Sequence, residues 1–352
     1  MSRTLTPPEA AIKTRQDDVL DLAPGIAASA FVAIVAVLVS PYLPRALPLP
    51  AMVIALLIGM ALHSVASTAI FRPGMTFCVK TLLRWAVALL GLRVALGDIV
   101  ALGPATAGLV VAAMVLTLVG TMGLARLFGQ TKGYGALAGV ATAVCGASAT
   151  LATSTVVPDY ENKEADIAFV VVGVNLLATA GMLLFPPICL WLGFDDRATG
   201  AMLGGTIHDV AQVVGAGYAV SDATGNAAVI VKLFRVFLLL PVVLLIGWHF
   251  TRVGAGHGAA KVPVPMFALV FLALCVLNSI LTPMQALAPV YEPVKSAMTW
   301  LSTAGLLLAI AALGLGTSFA ALVSLGWRHI ATLVGGAVLI VVIMVGGLAL
   351  IG

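Results

Sequence analysis

AAVIVKLFRVFLLLPVVLLIGW (residues 227–248) is an apolar run of 22 residues interrupted by two cations, Lys232 and Arg235. It has the ~20 residues a helix needs to cross a bilayer. Charges at membrane depth cost a few kcal/mol each on insertion scales and mark function by default. A second run, GAMLGGTIHDVAQVVGAG (200–217), adds His208 and Asp209. The buried cations outnumber the acids, which points to a site for an anion.

The rest of the chain fits this reading. Of 352 residues, 61% are hydrophobic and 9% are charged, against about 25% charge in a soluble domain. The mean hydropathy is +1.15. No soluble core absorbs that much apolar sequence, so an all-α polytopic membrane protein is expected. The isoelectric point near 9.0 needs no nucleic acid, because the basic residues flank apolar runs. Cys78, Cys145, Cys189 and Cys275 are far apart, without a CxxC pair, and read as small apolar fillers. No metal or cofactor is expected.

Eleven apolar segments can be drawn, at about 23–41, 48–66, 75–97, 104–128, 133–156, 165–192, 198–220, 223–250, 265–282, 297–319 and 329–351. Residues 1–22 read as a retained cytoplasmic tail, since the first apolar run comes too late for an ordinary signal peptide. Residues 23–352 read as one transmembrane domain. Twelve basic residues then fall on the N-terminal side of the membrane and three on the other, with Arg93, Lys232 and Arg235 inside spans. The positive-inside rule predicts a cytoplasmic N-terminus and an external C-terminus. Arg93, near the end of its span, can snorkel to the surface.

Two internal echoes imply a repeat. ALLGLRVALGDIVALG (88–103) resembles AALGLGTSFAALVSLG (311–326), and PAMVIALLIGMALHS (50–64) resembles PMFALVFLALCVLNS (265–279). The second segment pairs with the ninth and the third with the tenth. An odd number of crossings separates each pair, which is the pattern of inverted-topology repeats. Segments five and seven do not fit that parity as symmetry mates.

Segments five and seven are also where helix breaks are expected. GYGALAGVATAVCGASATLATSTVVP (133–158) is rich in small residues around Cys145, Gly146, Ala147 and Ser148, and Gly204-Gly205-Thr206 precedes His208-Asp209. A half-helix starting after a break offers free N–H groups and a positive dipole end to an anion. Ser148 and Thr206 can add hydroxyl donors. Lys232 and Arg235, three apart, share a helix face. Arginine's fork suits oxyanions and lysine adds a point charge. Gln212 shares a face with His208 and Asp209. Asp209 can neutralise a cation in a structural pair or carry a coupling proton or sodium charge. His208 can carry a proton or be a neutral core histidine.

At these residues the chain resembles a known family. CGASATLATSTVV (145–157), GGTIHDVAQVVGAGYAV (204–220), NAAVIVKLFRVFLLLP (226–241) and AALGLGTSF (311–319) resemble the YeiH-type family, also named for sulfate export. The resemblance covers roughly residues 48–350. Many members carry Glu at the position of Asp209. The family is similar to sodium/proton antiporters and bile-acid-type symporters. The resemblance implies a multi-pass protein of the bacterial inner membrane with crossed discontinuous helices. It also implies a secondary transporter, without enzymatic activity, exporting sulfate, sulfite or a related small oxyanion by elevator-type movement of a core against a scaffold. Proton or sodium coupling and a homodimer follow by the same analogy.

Other classes compete. An anion channel or an ion-coupled organic-anion transporter would use the same charges, and a scaffold without transport would leave them idle. Gly146-Ala147-Ser148-Ala149 superficially matches an intramembrane serine hydrolase motif, with His208 as base.

Overall fold

The computed structural model describes residues 15–42, 51–252, 266–285, 287–317 and 326–351. Among these, every regular element is a helix. We number the main helices α1 (Arg15–Val39), α2 (Ala51–Ala61), α3 (Arg72–Arg93), α4 (Gly103–Leu127), α5 (Lys132–Ala143), α6 (Ala147–Ser154) and α7 (Lys163–Trp191). They continue with α8 (Asp196–Thr206), α9 (Val210–Val220), α10 (Asp222–Thr251), α11 (Met266–Leu281), α12 (Ala288–Gly316) and α13 (Trp327–Ile351). Short helical turns at His63–Ala66 and Leu96–Ala101 join α2 to α3 and α3 to α4.

Each of the eleven expected segments coincides with a helix or a pair of half-helices. Seven stretches are long and apolar enough to cross a membrane, and α2, α9 and α11 are shorter apolar helices. Boundaries differ from expectation in three places. α1 begins at Arg15, inside the expected tail, because RQDDVLDL contains no helix breaker and runs into the apolar stretch. Residues 1–14 lie outside the described residues. The second segment yields only an 11-residue helix. The tenth begins at Ala288, with Pro289 in the first turn, where its missing N–H costs no hydrogen bond.

The helices form two groups. In one, α1, α2, α3, α11 and α12 pack together. In the other, α4 to α10 pack with α13. The groups meet mainly where α9 lies against α2 and α12, and where α10 approaches α11.

The first group carries the repeat in its contacts. α2 packs on α12 and α11 packs on α3. Under the pairing of the second segment with the ninth and the third with the tenth, each of these contacts maps onto the other. The match holds at single residues. A Cβ on Gly314 would overlap the Leu56 carbonyl and Gly59, and a Cβ on Gly91 would overlap the Phe271 carbonyl and Leu274. Gly91 is the mate of Gly314, Leu56 of Phe271, and Gly59 of Leu274. Close backbone approach at matched glycines is how small residues let membrane helices pack. Residues 318–325 of the 311–326 stretch lie outside the described residues.

Candidate functional site

Both expected breaks exist. α5 ends at Ala143 and α6 begins at Ala147, with Gly146 between them at φ 60° and ψ −123°. Only glycine takes up such a conformation without strain. The second break sits three residues later than expected. Gly204, Gly205 and Thr206 remain helical, and α8 gives way at Ile207, which is extended at φ −66° and ψ 132°. The glycines of α8 serve packing instead. Gly200 and Gly204 lie against the backbone of α10, and Gly205 lies against Met344. The stop signal is Asp209, whose Oδ1 accepts from the Ala211 N–H at 2.8 Å and so caps α9. The two breaks touch: a Cβ at Gly146 would lie 3.3 Å from the His208 carbonyl oxygen.

Lys232 and Arg235 project from α10 into this crossing, each 0% exposed. Their partners are backbone carbonyls. Lys232 Nζ donates to Val144 O at 3.0 Å, Ile207 O at 2.9 Å and His208 O at 2.7 Å. Arg235 Nε donates to Ala143 O at 3.3 Å, and Nη2 to Thr142 O at 3.3 Å and Ala143 O at 2.9 Å. Its Nη1 donates to Gly204 O at 3.0 Å and Ile207 O at 3.5 Å. An ammonium has three N–H groups and a guanidinium five, so all eight find an acceptor. The acceptors are the orphan carbonyls at the C-terminal ends of α5 and α8, each the negative end of a helix dipole. The two cations therefore staple the two half-helices to α10. An anion clamp of free donors, as read from the sequence, is not the arrangement present.

The expected ion pair between Asp209 and a cation is also not among the salt bridges of the described residues, which join Arg93 to Asp222, Lys163 to Asp159 and His329 to Asp166. Thr206 turns its hydroxyl back to Met202 O at 2.7 Å and away from the break. Cys145 is buried, Ala147 is half-buried and Ser148 is exposed. Ser148 and His208 make no hydrogen bond to each other, and His208 Nδ1 is buried without a partner. Gln212 Nε2 donates to Thr179 Oγ1 at 2.9 Å and Asn175 O at 3.3 Å, which leaves Gln212 Oε1 buried and unpaired. Asn175 and Thr179 of α7 are site neighbours that sequence reading missed, since they lie 37 and 33 residues from Gln212.

What this crossing can do follows from its charges. Each helix end carries roughly half an elementary charge. The C-terminal ends of α5 and α8 offset the N-terminal ends of α6 and α9. Lys232, Arg235 and Asp209 then leave an excess of about one positive charge. Passing a proton from Lys232 to Asp209 leaves that sum unchanged. α9 has its aspartate cap, whereas α6 has no side-chain cap and opens at exposed Ser148. Among the described residues no cluster of His, Cys, Asp or Glu could hold a metal ion.

Comparison with known proteins agrees with the motifs. The family described as Conserved hypothetical protein 698 matches residues 24–333. The UPF0324 membrane protein TauZ of Paracoccus pantotrophus is 41% identical over 94% of this chain and 95% of its own length. A UPF0324 membrane protein of Chlorobaculum tepidum is 37% identical over 92% of this chain and 88% of its own. One from Rhizobium meliloti is 37% identical over 94% and 93%. No solved structure matches the chain. With a family match across most of its length and relatives that cover it almost end to end, this chain belongs to the UPF0324 family of membrane proteins, the YeiH-type family.

Proposed function

We propose that the chain is a secondary transporter of a small oxyanion such as sulfate or sulfite, working as an exporter in the bacterial inner membrane. The observation that supports this best is the crossing: about one unit of excess positive charge held beside an uncapped helix N-terminus at Ser148. The anion's ligands in this reading are the N–H groups of Ala147 and Ser148 and the Ser148 hydroxyl. Lys232 and Arg235 act from behind them, by fixing the half-helices and supplying the field. Asp209 carries the coupling charge, because it is the acid at the crossing, where it caps the second half-helix and forms no salt bridge among the described residues. A core built on α4–α10 and α13 moves against the scaffold of α1–α3, α11 and α12, which the sparse packing between the groups permits.

Thermal unfolding of the purified protein with a panel of anions tests this. A ligand that binds only the folded state stabilises it by about 2.7 kcal/mol at a hundred times its dissociation constant. Saturable stabilisation by sulfate or sulfite, weakened in Ser148→Ala and absent with chloride, is the expected result. If no oxyanion raises the unfolding temperature, the reading is wrong.

A further inference from the structure

The repeat lets one face of the protein be compared with the other. A cavity of about 480 Å³ opens beside α3 and the end of α12, lined in part by His63, Arg72, Thr76, Val79, Lys80 and Thr317. It also touches Asn175, whose carbonyl holds Gln212 at the crossing. Among its described lining residues there is no carboxylate. Carrying the echo of 88–103 with 311–326 back along both helices pairs Arg72 with Lys295, Met75 with Met298, Thr76 with Thr299 and Val79 with Ser302. The cavity thus has a counterpart on the opposite face, built from Asn278, Lys295, Thr299 and Ser302.

The counterpart is closed. His63 is half-buried, while its mate Asn278 is 5% exposed. Val79 is half-buried, while its mate Ser302 is 0% exposed and donates its hydroxyl to Ala86 O of α3 at 2.6 Å. Gly316 lines the open cavity. Its mate Arg93 instead reaches across to the other helical group, where Nη2 donates to Asp222 Oδ1 at 2.7 Å and the guanidinium lies 4.9 Å from the Tyr218 ring centre. Asp222 and Tyr218 flank the turn between α9 and α10, so this contact ties the scaffold directly to the elements that form the crossing.

We infer that the open cavity is one of two symmetry-related access chambers for the anion, and that Arg93, bridging to Asp222 and Tyr218, is the latch that shuts the other. This rests on the transporter reading above. The contact has to break, and Ser302 has to become accessible, when the present cavity closes.

The test is cysteine accessibility in the full-length protein in proteoliposomes. Val79→Cys and Ser302→Cys are reacted with a maleimide that does not cross the membrane, applied to each face in turn. The four native cysteines are buried and serve as the unreactive background. In the parent, Val79→Cys should label from the Arg72 face and Ser302→Cys slowly or not at all. Arg93→Gln should raise Ser302→Cys labelling from the opposite face by about threefold or more, the population change expected for losing a partly exposed ion pair and its aromatic contact, and lower that of Val79→Cys by a smaller factor. Asp222→Asn, on a largely exposed side chain, should act in the same direction without risk to folding. Rates unchanged by both substitutions, or rising together at both positions, would overturn the latch. Inorganic sulfate added in parallel separates the two claims: reciprocal labelling without any sulfate effect on unfolding temperature keeps the latch and defeats the oxyanion assignment. A sulfate effect without reciprocal labelling does the reverse.

Discussion

At the scale of the residue, Lys232 and Arg235 have their N–H groups committed in eight contacts to backbone carbonyls. Arg235 spans carbonyls from two separate half-helices, Thr142 and Ala143 on one and Gly204 and Ile207 on the other. A lysine there has three N–H groups against the guanidinium's five, so at least two of these contacts are lost and Arg235→Lys should destabilise the protein by about 1.5–3 kcal/mol. Thermal unfolding in detergent measures it. An unchanged unfolding temperature with lost sulfate binding would show that the guanidinium serves the ligand instead. Asp209→Asn isolates charge from geometry, because asparagine caps a helix as well as aspartate does. The variant should fold, bind sulfate at least as tightly as the parent, and lose the pH or sodium dependence of binding. Retention of that dependence would remove Asp209 from coupling. Gly146→Ala forces a Cβ into a backbone region reserved for glycine and should cost about 1–3 kcal/mol.

At the scale of the element, the glycines divide by what faces them. Gly91 and Gly314 occupy equivalent places in the repeat, each against a carbonyl of the partner helix. Alanine at either should separate α3 from α11 or α12 from α2 and lower the unfolding temperature by similar amounts. Gly123 in α4 faces open space, with nothing within 4 Å of where an added methyl group would sit. Gly123→Ala should therefore be neutral or stabilising by about 0.5–1 kcal/mol, from the helix preference alone. A larger loss at Gly123 than at Gly91 and Gly314 would contradict the packing of the repeat.

At the scale of the whole molecule, two helical groups of unlike content meet along α9. The scaffold group holds the matched glycine contacts and the cavity-lining cations Arg72 and Lys80. The other holds the half-helices and the buried staple. If all eleven segments cross, the termini lie on opposite sides. The distribution of basic residues then puts the N-terminus in the cytoplasm and the C-terminus outside. Reporter fusions at the two ends should give opposite signals, and like signals would mean an even number of crossings.

Membrane character and helical class are legible in the sequence, and each expected apolar segment coincides with helix. Each depends on local composition or on residues a fixed distance apart along one helix. The break at Gly146 is legible for the same reason, since small residues mark where a helix can open. The second break falls three residues beyond its expected place because glycines signal both breaking and close packing, and only the neighbours of Gly200, Gly204 and Gly205 distinguish the two. The tertiary structure alone decided which groups the buried cations contact. A KxxR pair is consistent with an external anion or with internal carbonyls, and the choice depends on half-helices that begin 100 and 36 residues before Lys232. The Arg93–Asp222 contact was hidden in the same way, joining side chains 129 residues apart. Sequence specifies which groups are present; only folding settles which of them have already committed their hydrogen bonds to one another.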